Sequence, residues 1–383
     1  MEALYFSTLV IISLAIIAAM LAAWLKISVA LLEIAIGILA ALLIKLFIPS
    51  SHINFDGNWF EMLAAIGALM LTFLAGTELE LEVLKREYKE SVIIGVVSFL
   101  LPFLAATAVA YFGFGWSNKA SWLTGLVLST TSVAVIYGTL LEYGMNNTNY
   151  GKALLTACFV TDLCTVLSLG FIFAPFSIKT IIFFIIALVV CLLLPKVCKK
   201  SFQLFGNKPY EFELKFILFF LLALGIIARW SGYEAVLPAF IVGIALSGSV
   251  GKNHVLVKHL RTVTFGLLTP VYFIRAGSLV SIPELVTVIV PIIILLLVKV
   301  AAKSVGIYPL TQLISRYKKE GIYTSLLMST GLAFGSIAAM FGLTAGIIDQ
   351  QKYSLLIAVV VSSAIIPTII ANMFYLPKHL IKE

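Results

Sequence analysis

The sequence predicts an all-α polytopic membrane protein of about 13 transmembrane helices. Three observations predict it. Hydrophobic residues make up 61% of the 383-residue chain and charged residues only 11%, against roughly 25% charged in a soluble domain. The mean hydropathy of +1.11 is spread along the chain, so neither a signal peptide nor a single anchor accounts for it. Runs such as Thr8 to Leu25 and Val286 to Val298 are continuously apolar, whereas a spanning barrel strand alternates apolar and polar residues over about 10 positions. At about 28 to 30 residues per span and connection, helices fill the chain and leave no room for a soluble catalytic or regulatory domain.

Polar clusters divide the sequence into apolar stretches in order. Residues 4–24 and 28–48 flank Lys26, and the second stretch carries Glu33. The third, 60–77, ends at Glu78, Glu80 and Glu82, which have basic neighbours and read as a solvated helix end. Residues 91–113 precede Lys119, and 120–141 contains Ser129-Thr130-Thr131-Ser132. Asp162 lies in 150–173; the stretch 177–197 runs into Lys199 and Lys200; 212–230 and 234–250 follow. Arg275 lies in 258–280, Lys299 and Lys303 in 285–312, Ser329-Thr330-Gly331 in 321–344, and Ser362-Ser363 in 352–376. No Pro/Ser-rich linker or low-complexity tract interrupts the series, so one membrane domain over 1–383 is the expected organisation.

The net charge of +8 is a topology signal. Odd-numbered connections and the C-terminus carry 17 basic residues, even-numbered connections only Lys119, Lys179, Arg229 and Lys352. By the positive-inside rule the N-terminus is outside and the C-terminus cytoplasmic, in a cell's inner (plasma) membrane, with membrane lipid rather than nucleic acid as the partner of these charges. Lys45, Lys215, Arg275, Lys299 and Lys303 fall within apolar stretches or near their ends and are candidates for function.

Two stretches repeat. The hydroxyl cluster at 129–132 and Asp162 are echoed two hundred residues later by 329–331 and Ser362-Ser363. The offset moves the span index by seven, an odd number, so the paired helices cross the membrane in opposite directions. Inverted repeats with paired interrupted helices build midplane sites in secondary transporters, although Ser and Thr also serve ordinary helix packing.

Asp162 is the most informative residue, because a charged carboxylate at mid-span costs an estimated 2.5 to 3.5 kcal/mol on insertion scales. It needs a proton, a cation or a basic partner, which suits a site where proton and cation exclude each other. Ser129 to Ser132 offer hydroxyls and, where the helix unwinds, carbonyl oxygens suited to a hard monovalent cation. Lys303 comes from the other half of the chain and could approach Asp162; snorkelling to the cytoplasmic side is its structural alternative. Lys299 is nearer mid-span. Arg275 stays charged at any accessible pH and suits structure or cation repulsion. Glu33 suits a structural or lining role.

Phosphate-cradling, dinucleotide-binding and HExxH patterns are missing, as is a TVGYG filter, so neither ATP-driven transport by this chain nor a potassium channel of that type is expected. No enzyme activity and no cofactor is expected. The four histidines form no ligand constellation, and Cys158, Cys164, Cys191 and Cys198 read as small core residues.

The motifs resemble one family. Gly67-Ala-Leu-Met-Leu-Thr-Phe-Leu-Ala-Gly76-Thr-Glu78-Leu-Glu80 resembles the F-x-x-G-L-E-L signature of Kef/NapA-type monovalent cation:proton antiporters, and Glu33-Ile34-Ala35-Ile36-Gly37 resembles their G-E-I-L-A-G helix. The hydroxyl cluster followed about thirty residues later by Asp162, and Phe341 to Asp349, resemble the two crossing helices and their surroundings. The resemblance covers most of the chain. It implies the NhaA/NapA-like fold of thirteen helices, a homodimer, and a mobile core with two interrupted helices crossing beside an aspartate. Carried over, Asp162 binds Na⁺ or K⁺ and H⁺ alternately, with Thr161, Thr130, Thr131 and Ser132 around it. Lys303, or Lys299, is the core basic partner. The second crossing helix bears Ser329, Thr330, Gly331 and Ser336 and breaks near Gly331 to Ser336. Beside the carried-over positions, Glu33, Glu78 and Arg275 are candidates for structural or gating roles; Arg275 departs from the family pattern, standing where relatives often have a small or uncharged residue, and could pair with an acid such as Glu33 or Glu78.

Departures from the pattern matter. Thr161-Asp162 stands where sodium-selective electrogenic relatives have Asp-Asp and Kef exchangers Gln-Asp. One carboxylate serving both ions gives electroneutral one-for-one exchange as the simplest stoichiometry. The chain stops near Glu383 without the nucleotide-binding domain of Kef proteins, which admits a separate regulatory subunit. The alternatives are a Kef-like gated potassium efflux pathway and a non-transporting membrane sensor.

Overall fold

A computed structural model describes residues 2–25, 27–47, 57–77, 88–146, 148–173, 177–205, 211–251, 253–314 and 317–380. Each of the thirteen expected stretches coincides with helix. They comprise α1 (Glu2–Leu25), α2 (Val29–Phe47), α3 (Asn58–Thr77), α4 (Tyr88–Ala108), α5 (Asn118–Ser129), α6 (Val133–Glu142), α7 (Asn149–Phe173) and α8 (Ile178–Phe205). There follow α9 (Phe212–Trp230), α10 (Val236–Leu246), α11 (His254–Val263), α12 (Thr269–Ser278), the short α13 (Ile282–Thr287), α14 (Ile289–Leu313), α15 (Gly321–Met328), α16 (Ala333–Thr344) and α17 (Gln350–Phe374). Among the described residues, nine helical stretches are long and apolar enough to cross a bilayer, joined by shorter apolar helices at Val29–Ile44 and Val236–Gly251. Helices satisfy their own backbone polar groups, which is why these sequences adopt no other spanning form.

Widened π turns extend three helices, at Val109–Gly113, Ser247–Gly251 and Thr264–Leu268. Such turns displace the following residues around the helix axis without ending the helix.

The chain divides into two compact units. One comprises residues 1–55, 85–165 and 273–383; the other comprises 56–84 and 166–272. The second unit packs α3, α8, α9, α10 and α11 around Leu69, Phe73, Leu194, Leu221, Leu246 and Leu260. At its centre α3 and α10 meet backbone to backbone. A Cβ on Gly243 would lie 2.3 Å from the Phe73 carbonyl oxygen, so only glycine permits that approach.

The first unit contains the two interrupted helices. Its core joins Ile136, Leu140, Tyr150, Leu154, Ala157, Cys158, Ile307, Leu327 and Met328. The four cysteines are free, with Cys158 and Cys198 fully buried.

Candidate functional site

Both interruptions arise from the same local competition. Ser and Thr hydroxyls bond to nearby carbonyls and offer the backbone an alternative to the helical ladder. Helix α5 ends where Thr130 (φ −60°, ψ 153°) and Ser132 (φ −111°, ψ 101°) are extended, and α6 begins at Val133 with the Ser132 hydroxyl accepting from the Val135 amide at 3.4 Å. Helix α15 ends at Met328, and α16 begins after Leu332 (φ −148°, ψ −76°). Thr130 donates to the Val127 carbonyl at 2.8 Å, and Thr330 to the Leu327 carbonyl at 2.7 Å. The breaks therefore stand two hundred residues apart, as the internal repeat requires. Ser336, expected within the second break, lies inside the first turn of α16 and donates to the Ala333 carbonyl at 2.9 Å. After Leu332 the backbone is helical again from Ala333, so the Ser336 hydroxyl meets a carbonyl of its own first turn and opens no further break.

The half-helices cross at these breaks. Thr131 donates to the Met328 carbonyl at 3.2 Å, across 197 residues of sequence. Gly331 lies against the first break: a Cβ there would sit 2.8 Å from the Thr130 hydroxyl and 2.3 Å from Lys299 Nζ. Thr130, Thr131, Ser132, Ser329 and Thr330 are all fully or nearly fully buried. Unwound backbone at this depth is tolerated because protein surrounds it.

Two lysines four residues apart on α14 reach the crossing, one at each break. Lys303 Nζ donates to the Ser129 carbonyl (2.9 Å), the Thr131 hydroxyl (2.9 Å) and the Ser98 hydroxyl (2.8 Å). A cation against the last carbonyl of α5 also faces the negative end of that half-helix dipole. Lys299 Nζ donates to the Ser363 hydroxyl at 3.0 Å. Both side chains have no solvent exposure, so neither snorkels.

Asp162 lies on α7 in the same unit, 1% exposed, and its Oδ1 is buried without a hydrogen-bond partner. Lys303 is the basic group that acts on it electrostatically, yet among the described residues the two form no ion pair within 4.0 Å. Lys303, expected as the core basic partner, acts on Asp162 through its charge and gives its hydrogen bonds to Ser98 and to oxygens of the first break. The neighbouring Thr161 shares its hydroxyl proton between the Ala157 carbonyl of its own helix and the Gly95 carbonyl of α4, both at 3.0 Å, and the Gly95 contact ties α7 to α4.

The remaining candidates are apart from this cluster or structural. Ser329 donates within its helix to the Ser325 carbonyl at 2.7 Å. Glu33 is buried on α2 and Arg275 is buried on α12, but no bond joins the two, so that pairing is not formed among the described residues. Glu78 lies outside the described residues. Two lysine ligands escape sequence reasoning: Ser98, a lone serine in the apolar α4, carries no motif, and Ser363 stands out only as part of the repeat. No group of three or more His, Cys, Asp or Glu that could hold a metal occurs among the described residues.

Two crossing interrupted helices, a buried mid-span aspartate and buried lysines define a secondary transporter of the inverted-repeat class. Residues 9–375 match the family model described as sodium/hydrogen exchanger, transmembrane, and the chain belongs to that family. The expected class, monovalent cation:proton antiporters, holds, while the family description differs from the Kef/NapA branch that the motifs resemble. The chain is 26% identical to the probable Na⁺/H⁺ antiporter 3 of Methanocaldococcus jannaschii, over 82% of this chain and 84% of that protein. It is 25% identical to a Na⁺/H⁺ antiporter of Enterococcus hirae, over 81% and 83%. Its fold is similar to that of the sodium proton antiporter MjNhaP1 from Methanocaldococcus jannaschii at pH 8, with a TM-score of 0.75 at 19% identity, covering 100% of this chain and 99% of that one.

Proposed function

We propose that this chain exchanges Na⁺ or K⁺ for H⁺ by alternating access, with Asp162 as the shared binding group. The observation that carries the reading is the buried Asp162 with an oxygen that no protein donor satisfies, in the unit that contains the broken helices. A buried carboxyl in that setting takes either a proton or a cation, and competition between the two couples their movements. Hydroxyls of Thr130 and Thr131 and carbonyls freed at the first break supply hard oxygen ligands for a monovalent cation. Lys303 already holds the Ser129 carbonyl and the Thr131 hydroxyl, so an arriving cation competes with its amine for those oxygens.

Thr161 is neutral, so one carboxylate serves both ions and the exchange is one for one and electroneutral. The protein acts as a homodimer in the cell's plasma membrane, with its N-terminus outside and its C-terminus in the cytoplasm, in line with the distribution of basic residues.

The test uses sealed vesicles holding the purified protein and a pH-sensitive dye, with Na⁺, K⁺ and Li⁺ added separately to wild type and Asp162→Asn. Wild type collapses the pH gradient with one or more of the ions, and the folded variant does not. Robust proton-coupled exchange by the variant would remove Asp162 from the mechanism. A rate that responds strongly to an imposed membrane potential would overturn the one-for-one stoichiometry alone.

A further inference from the structure

We propose that the lysine-bearing end of α8 is a binding site for an anionic phospholipid, with Lys199 taking the phosphate and an exposed aliphatic stripe of the same helix taking an acyl chain. Helix α8 is 28 residues long, longer than the roughly 20 residues that span the hydrocarbon core. One face packs into the second unit through Phe183, Ala187, Leu194 and Cys198. The opposite face leaves Ile181, Ile185, Leu188 and Leu192 each 57 to 64% exposed. Their spacing of four, three and four residues keeps them on one line of the helix. Continuing the spacing by four and then three residues reaches Lys196 and Lys199, both exposed.

Lys199 also lines a cavity of about 630 Å³. Gln203, Ser249 and Asn253 add amide and hydroxyl groups to its wall, and Gly248, which has no atom within 4 Å of the place a Cβ would occupy, leaves space there. Glu213, the acidic residue of the wall, has an interaction of its own and is not a free charge. Lys199 has no acidic partner among the described residues. A hydrogen-bonding recess with the Lys199 amine in its wall suits a phosphodiester headgroup.

The dimensions favour a lipid over a soluble anion. Ile181 stands three residues into α8, so the stripe crosses most of the hydrocarbon core, and its lysine-side half, Leu188 and Leu192, lies in the leaflet whose headgroups meet Lys196 and Lys199. An acyl chain of that leaflet runs along Leu188 and Leu192 and ends at those lysines. A soluble phosphate would use the recess and leave the stripe unexplained.

The experiment measures thermal unfolding of the full-length protein in neutral detergent doped with phosphatidylglycerol, phosphatidylcholine or inorganic phosphate. Wild type and Lys200→Gln, which loses the same charge on a neighbouring face, gain stability with phosphatidylglycerol, while Lys199→Gln and Leu188→Ser lose most of that gain. Lys199→Arg retains it. Equal responses to the two lipids, or an unchanged response in Lys199→Gln, would overturn the site, and reproduction of the effect by inorganic phosphate would overturn the lipid as its ligand. Efficient disulfide cross-linking between copies through Leu188→Cys would assign the stripe to a second copy and overturn the acyl-chain contact. Lipid binding read this way is independent of the exchange assay, so failure of either leaves the other standing.

Discussion

The two helix breaks share a backbone solution and differ in what they present. Ser129-Thr130-Thr131-Ser132 stands against Ser329-Thr330-Gly331-Leu332, and the first two positions bond alike, each hydroxyl returning to a carbonyl of its own helix. At the third position the breaks diverge. Thr131 reaches across to the Met328 carbonyl and accepts from Lys303, whereas Gly331 presents no side chain and so admits Lys299 and Thr130 beside it. The repeat supplies a crossing, and the loss of symmetry in side chains gives that crossing a polar, ligand-bearing side and a close-packed side.

That comparison can be broken by exchanging what each break presents. The largest effect is expected for Lys303→Met against Lys299→Met, measured as exchange rate in vesicles together with the melting midpoint. Lys303→Met leaves the Ser129 carbonyl without its donor, at a cost of about 1 to 3 kcal/mol, and alters the apparent affinity for the cation. Lys299→Met removes a single hydrogen bond, worth about 1 kcal/mol, and lowers stability with a smaller change in affinity. Equal affinity changes in both variants would mean that the two breaks are functionally equivalent.

Gly331→Ala comes next. Its methyl would overlap the positions of Lys299 Nζ and the Thr130 hydroxyl, and overpacking of this kind costs about 1 to 3 kcal/mol. The melting midpoint is expected to fall, and Gly331→Ala combined with Lys299→Met to recover part of the loss; no recovery would remove Lys299 as the neighbour that demands glycine. Ser98→Ala should act more mildly, deleting one of three oxygens around Lys303, and raise the cation concentration needed for half-maximal exchange less than Thr131→Val does.

The smallest effect lies outside the breaks. Burial of Asp349 favours its neutral form, but hydrogen bonds from the Lys352 side chain and amide outweigh this and hold its carboxyl below the usual value. The carboxylate also caps α17. Because the folded value is the lower one, the stabilisation is present above the unfolded value and disappears as pH falls through the folded value. Asp349 is 56% exposed, so the pair is worth well under about 1 kcal/mol, and Asp349→Asn should flatten only slightly the decline of the melting midpoint below about pH 4.

Much of the fold was legible because membrane helices announce themselves by length and composition. All thirteen stretches stand where apolar runs are bounded by charged residues or by Pro, Gly and other polar breaks. The two hydroxyl clusters and their fixed offset were legible as well, and the resemblance to the antiporter family marked them as the places where the helices break. Ser98 was not legible, because a single serine in α4 looks like any helix-packing serine until Lys303 is seen to reach it. The extent of the second break was misjudged, because Ser336 carries a hydroxyl but bonds inside a resumed helix.

By itself, the sequence determined that the chain spans a membrane as helices, that hydroxyl clusters recur within them at a fixed offset, and that one aspartate lies far from any polar end. These follow from properties local to each segment: apolar length, hydroxyl clustering and the cost of a charge in hydrocarbon. Only the tertiary structure decided that Lys303 meets the oxygens of the first break while Lys299 meets Ser363, and that Arg275 does not pair with Glu33. Four residues of spacing put both lysines on one face of α14, but which oxygen each amine reaches depends on helices more than a hundred residues away in sequence for Lys303 and more than sixty for Lys299. Hydrogen bonds of about 3 Å are set by that packing, and no periodicity within a single helix encodes it.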